Sequence, residues 1–368
     1  MERIMLAGAR VVTPGGVLEG GVVTVDSGRI AAVSAGAEAA GAVDLAGRWL
    51  VPGFVDQHVH GGGGVSYPSA SGFHLRHGTT TTLASLVSAP PDALAAWVRE
   101  LAPLVRSGAL AGVHLEGPYL ASARRGAHDP RALRAPDPAE LSALLASGCV
   151  RMVTLAPELP GALDAVRAVV DAGAVAAVGH TDCSYEQARA AFDAGATVAT
   201  HLFNGMAPLH HRAPGPVAAA LEDPRVTVEL ICDGVHLHPA AARLAFDRAG
   251  VGRVALITDA IAAAGMPDGA FELGSMAVRV SGGVARLADG DTIAGSTLTM
   301  DRALRWTVRD VGLDVAEACV AASLVPARVL GVSERVGTIE PGKDADLVVL
   351  DERLEVVAVM ARGAWVAR

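Results

Sequence analysis

A chain of 368 residues, 51% of them hydrophobic, is long enough for one large core and a smaller companion and too apolar to be disordered. A formal net charge of −9 argues against a general nucleic-acid or membrane-surface binder, though not against a small anionic substrate. The four cysteines (Cys149, Cys183, Cys232, Cys319) are widely spaced and form no C-x-x-C pair, which fits buried thiols and not a disulfide frame or a cysteine metal site. No apolar run reaches bilayer-spanning length, and the opening MERIMLAGARVV lacks the pattern of a secretion signal. The expectation is a soluble cytoplasmic enzyme with no nucleic-acid and no membrane partner.

Residues 1–50 read as short strands between glycine turns (ARVVTPGG, GVVTVDSG, RIAAVSAG, AVDLAGRWL). The C-terminal stretch GTIEPGKDADLVVLDERLEVVAVMARGAWVAR has the same character. Either end alone has too little core, so 1–50 and 335–368 are expected to assemble into one small β-sandwich domain. The middle, 51–334, alternates apolar strands with helical runs. The strands are predicted at 54–60, 80–87, 112–117, 152–157, 175–180, 196–202, 226–233 and 254–260. Helical runs begin at PPDALAAW, DPAELSAL, GALDAVRA, SYEQARAA and HPAAARLA; Ser184 with Gln187 reads as a capping box, and Asp137 before Pro138 as a helix start. Eight such units in this length imply a closed (β/α)8 barrel of the TIM type. Segment 271–297 reads as inserted hairpin material, and helices near 299–311 and 314–330 complete the barrel region.

In such a barrel the active site lies at the C-terminal ends of the strands. The residues predicted there are His58 and His60, His114 and Glu116, His180, His201, Asp233 and Asp259. One buried histidine is more often a hydrogen-bonded core residue than a ligand. Four strand-end imidazoles with Glu116 reverse those odds and predict a divalent-metal site. On a strand, residues i and i+2 face the same way, so His58 and His60 can act together. The only lysine, Lys343, lies in the C-terminal β segment. A carbamylated lysine therefore cannot bridge two cations in the barrel, and Glu116 is the candidate bridge. Asp259 is placed to move a proton between water and a leaving amine.

The segments PGFVDQHVHGG, HLEGPY, GHTDCSYEQA, THLFNGMAPLHHRAPG, CDGVHLHP, LITDA, AGSTLTM and PARVLGVSERVGTIEPGKDADLVVL together resemble the amidohydrolase superfamily. Within it, HLEGP, HLFN-x-M and HHRAPG resemble the N-acetylglucosamine-6-phosphate deacetylase family. The resemblance implies hydrolysis of the acetamide of a phosphorylated amino sugar, or of its galactosamine epimer. It implies two divalent cations per subunit, Zn²⁺ first and Fe²⁺ next. Glu116, His180 and His201 would hold the principal metal, His58 and His60 the second, and Asp259 would be the catalytic acid and base. Asn204 and the backbone of Gly205 would hold the phosphate, and His128 would line the sugar pocket. Arg212 and His236 would bind phosphate and sugar from the neighbouring subunit of a homodimer.

One position departs from the family pattern. The loop usually reads N-A-M, and here it is Asn204-Gly205-Met206, where glycine is expected to loosen the backbone. Arg124, Arg125, His128, Arg131 and Arg134 would make either an electropositive lid or a solvated charged loop. His74, His77, His210 and His238 read as structural, His114 as support for a ligand, and His211 as a neighbour of Arg212 without an assigned role. The competing readings are another amidohydrolase activity and a relative without catalysis.

Overall fold

The computed structural model describes residues 3–36 and 41–367. Met1, Glu2, residues 37–40 and Arg368 belong to the stretches expected to build the small β domain and lie outside the described residues. All eight barrel strands are present: Phe54–Asp56, Thr79–Leu86, Gly112–Glu116, Val150–Leu155, Val175–Val178, Val198–Ala199, Thr227–Ile231 and Val254–Ile257. They pair in parallel in chain order. The third and eighth are buried along their whole length, as expected of a sheet covered on both faces. The ring closes between the first and eighth strands. Asp259 N–H donates to the His58 carbonyl at 2.9 Å, and Thr258 Oγ1 donates to Asp56 Oδ2 at 2.6 Å.

Several strands are shorter than the sequence implies, for a reason that bears on the site. The ladders end at Asp56, Val178, Ala199 and Ile257, each two residues before His58, His180, His201 and Asp259. His180, His201 and Asp259 have φ of 46°, 28° and 50°, in the left-handed region that side chains disfavour. Such residues cannot continue a strand, so the chain turns at each one and aims its side chain across the barrel mouth. Backbone strain of this kind concentrates where function over-determines the geometry.

The helices pack outside the ring. Ala162–Asp171 buries Ala162, Ala165, Val166 and Val169, a three-and-four spacing that turns one face inward. Burial of a side chain such as Val166 contributes roughly 1.5–3 kcal/mol. The predicted starts are present: Ser184 and Gln187 form a reciprocal capping box, and Asp137 accepts from the N–H groups of Ala139 and Glu140. Two short helices, Ser71–Arg76 and Gly215–Glu222, carry no capping side chain, and the sequence reading missed them. Met300–Trp306, Val315–Cys319 and Val325–Val329 complete the outer layer.

The two chain ends meet in one eight-stranded sheet. Leu347–Leu350 from the C-terminal end pairs antiparallel with Trp49–Pro52 from the N-terminal end. This sheet has its own core, including Leu6, Val11, Val23, Ile30, Leu50, Leu347 and Met360. The inserted segment forms a three-stranded antiparallel sheet (Gly269–Leu273, Met276–Ser281, Val284–Leu287) with a separate small core. All four cysteines are buried and free. No helix among the described residues is long and apolar enough to cross a membrane.

Candidate metal centre and active site

Glu116 ends the third strand at the centre of the barrel mouth, 3% exposed. Its Oε1 lies 3.0 Å from His180 Nε2, 3.0 Å from His201 Nε2 and 3.5 Å from His58 Nε2. Its Oε2 lies 3.2 Å from His60 Nε2 and 3.4 Å from His128 Nε2. Two overlapping groups could each hold a cation: His58, His60 and Glu116, and Glu116, His180 and His201. The carboxylate common to both is the one that the absence of a barrel lysine pointed to.

The remaining hydrogen bonds of these rings test whether a cation fits. His60 Nδ1 lies 3.1 Å from the Ser85 carbonyl, and His180 Nδ1 lies 2.8 Å from the Arg124 carbonyl. A carbonyl only accepts, so each Nδ1 carries a proton and each ring turns its Nε2 towards Glu116. His58 Nε2 is buried with no hydrogen-bond partner. Burial opposes charge on His60, but Asp259 and Glu116 outweigh it and raise the ring to about 9, so the cluster demands positive charge at this place, and a divalent cation supplies it. The donor set therefore fits a metal. Burial alone would raise the carboxyl of Glu116, but the charge of His58 and the hydrogen bond from His128 more than offset this and hold it well below the usual range. Asp259 is held at about 2 in the same way, burial being outweighed by His58 and His60.

Asp259 Oδ1 stands 3.1 Å from His60 Nε2 and 3.5 Å from His58 Nε2, beside Glu116. Over these groups opens a cavity of about 380 Å³, sized for one small ligand. Its wall includes His128, Asn204, Gly205 and His236. His128 Nδ1 accepts the Ser88 N–H at 3.2 Å, which leaves the Nε2–H of the neutral ring facing the site. Burial lowers this ring to about 4 and keeps it neutral.

Several expectations need correction. His236 lines the cavity of its own chain, so it does not have to be donated by a neighbour. Arg212 stands apart from these corrections: it is exposed, contacts His211 Nε2 at 2.7 Å and lies outside the cavity of its own chain, where a residue offered to a neighbouring subunit would also lie. Asp233 belongs to neither cation group among the described residues: it accepts from His236 Nδ1 at 2.7 Å and holds that ring in place. The arginine loop is no electropositive lid. Arg124 pairs with Asp182, Arg131 with Asp129, and Arg134 with Glu140, so most of its charge is neutralised locally. Gly205 does not loosen its turn. Its φ is +58°, its carbonyl accepts the Thr181 N–H, and an added Cβ would lie 2.9 Å from His180 Nδ1.

Four other histidines make structural contacts. His114 bonds Ser85 Oγ and Thr154 Oγ1 at 2.9 and 2.8 Å, with its ring edge against His58. His74 holds the Gly61 carbonyl, His77 pairs with Asp301, and His238 caps the helix Pro239–Ala249 by accepting from the Ala240 N–H. Two residues were missed in the sequence. Glu229, in mid-strand among apolar neighbours, gave no motif signal. Arg286 sits on the inserted sheet, and among the described residues it is the only lysine or arginine lining the cavity.

Fold and site together define a metal-dependent barrel hydrolase. The chain belongs to the amidohydrolase family, which it matches over residues 49–366. It is 42% identical over 328 residues to the N-acetylgalactosamine-6-phosphate deacetylase of Escherichia coli O157:H7, covering 85% of this chain and 86% of the relative. It is 38% identical to the N-acetylglucosamine-6-phosphate deacetylase of Danio rerio, covering 89% and 86%. A mutant N-acetyl-D-glucosamine-6-phosphate deacetylase from Mycobacterium smegmatis, solved in complex with N-acetyl-D-glucosamine-6-phosphate, superposes with a TM-score of 0.97 at 47% identity over the full length of both chains.

Proposed function

We propose that the protein hydrolyses the acetamide of N-acetyl-D-glucosamine 6-phosphate to acetate and D-glucosamine 6-phosphate, a step of amino-sugar catabolism and cell-wall sugar recycling. The observation that carries this reading is the placement of Asp259 beside the shared Glu116, on the floor of a cavity sized for one sugar. Glu116, His180 and His201 hold the principal cation in this reading, and His58 and His60 with Glu116 hold the second; zinc suits both sets. When bound, such a cation polarises the acetyl carbonyl and makes water nucleophilic near neutral pH.

The chain's own residues supply the rest. Asp259 takes a proton from the attacking water and returns it to the departing amine. His128 offers Nε2–H to the sugar or the acetyl oxygen. Burial opposes charge on His236, but the hydrogen bond to Asp233 outweighs it and raises the ring, which favours an Nε2–H donor towards the developing oxyanion. Asn204, the Gly205 backbone and Arg286 form the phosphate end. Arg212 fits a role at the cavity of a second subunit, in a cytoplasmic homodimer.

The 42% identical relative favours a second reading, the galactosamine epimer. Both are tested by metal analysis coupled to acetate release from each epimer, with and without the phosphate. Turnover of the phosphorylated gluco epimer at least about tenfold above the others, a difference of roughly 1.4 kcal/mol, is the expected result. No turnover of any of them by protein carrying its full metal complement overturns the proposal.

A further inference from the structure

The seventh barrel strand carries one carboxylate, Glu229, into the barrel interior. Glu229 is 0% exposed, between Val228 and Leu230, which are equally buried. Its Oε1 accepts from Gln57 Nε2 at 2.7 Å. Its Oε2 accepts from His58 Nδ1 at 3.3 Å and from the His201 backbone N–H at 3.2 Å. Its own carbonyl accepts the Leu202 N–H at 2.8 Å. One side chain thus touches a ligand of each cation group, the ring of His58 and the backbone of His201. No lysine or arginine reaches it among the described residues.

We propose that Glu229 is a positioning residue for the second metal position, fixing the tautomer and the orientation of His58. This rests on the two-position reading above. A buried carboxylate that no lysine or arginine reaches is a charge its ring partner must help to compensate. It holds a proton of His58 on Nδ1, and so leaves Nε2 as the nitrogen that faces Glu116 and Asp259 and would take the cation. The cation at Nε2 then balances Glu229 through the ring, and the hydrogen bond makes His58 a stronger donor. A glutamine at this position would remove the charge and could present an N–H to Nδ1. The proton of His58 would then move to Nε2, where it blocks the ligand site.

The test uses the full chain loaded with Zn²⁺ and dialysed against rising concentrations of a chelator, with zinc per subunit read by elemental analysis. Wild type is expected to hold two equivalents. Glu229→Gln should release one of them at a chelator concentration about 10- to 100-fold lower, while the other stays. Two equivalents in both proteins with the same release overturn the inference alone. A single equivalent in the wild type overturns the two-position reading, and this inference with it. Should Glu229→Gln fail to fold, Glu229→Asp still decides. Its shorter arm withdraws the oxygen from His58, so release of the second zinc at the wild-type concentration overturns the role.

Discussion

His236 and Asp233 form a closed unit at the edge of the cavity: Nδ1 donates to Asp233 Oδ2 at 2.7 Å, and Asp233 Oδ1 accepts the His236 backbone N–H at 2.8 Å. Asp233 therefore sets both the orientation and the charge of the ring. Replacing it by Asn keeps the shape and removes the charge that raises His236 against its burial. In Asp233→Asn the ring should titrate at lower pH, visible in histidine NMR. kcat/KM should fall about tenfold or more, as a donor to the oxyanion is lost. An unmoved titration would detach Asp233 from this role.

Asp259 is expected to move protons without being needed to retain metal. Asp259→Asn should lower kcat by about 10²- to 10⁴-fold, the range for a positioned acid or base. Metal per subunit should stay at the wild-type value. Full turnover with unchanged metal would remove Asp259 from the chemistry.

The family usually has alanine where this chain has Gly205, which makes Gly205→Ala an informative change. The left-handed backbone costs a non-glycine residue about 1–2 kcal/mol. The new methyl would also press on His180, whose Nδ1 is 2.9 Å from the ideal Cβ position. The variant should be less stable and should lose the cation at Glu116, His180 and His201 more readily. Thermal unfolding and metal analysis check both; a variant equal to wild type in both would show that the loop simply shifts.

The barrel was legible in the sequence because both-face burial writes each strand as an apolar run, and because His58, Glu116, His180, His201 and Asp259 break those runs at a fixed place. Glu229 was not legible. Its function depends on a partner just beyond the end of another strand, 171 residues away, and one acid within a strand has no periodic signature. The arginine loop misled for the opposite reason. Arg131 and Arg134 look free in one dimension, but they fold back onto Asp129 and Glu140. His236 was placed across a subunit boundary by the family resemblance, because the sequence alone does not reveal which cavity a loop enters.

Arg286 reaches the cavity from the inserted sheet, whereas Arg212 lies outside it. The two therefore separate a phosphate contact made within the chain from one made across an interface. Arg286→Gln should raise KM for the phosphorylated substrate about tenfold or more, with little change on the unphosphorylated sugar. Arg212→Ala should show the same pattern only in a protein that sediments as a dimer. An unchanged KM in Arg286→Gln would assign the phosphate to other groups.

His74 gives the fold an acid limit separate from the metal ligands. Its Nε2 donates to the Gly61 carbonyl at 2.8 Å, its Nδ1 is buried without a partner, and burial lowers it from 6.5 to about 4. The unfolded chain would take up this proton near pH 6.5, while the folded chain resists it until about pH 4. Between those values the unfolded state binds more protons, so stability falls as pH falls. A shift of this size corresponds to roughly 3 kcal/mol, present above about pH 6.5 and lost by about pH 4. Glutamine can keep the donor to Gly61 and does not titrate. In urea unfolding, His74→Gln should differ from wild type by a gap that changes in the variant's favour as pH drops from about 7.5 to about 5. A gap constant with pH would mean that His74 ionises alike in both states and that acid sensitivity originates in other groups.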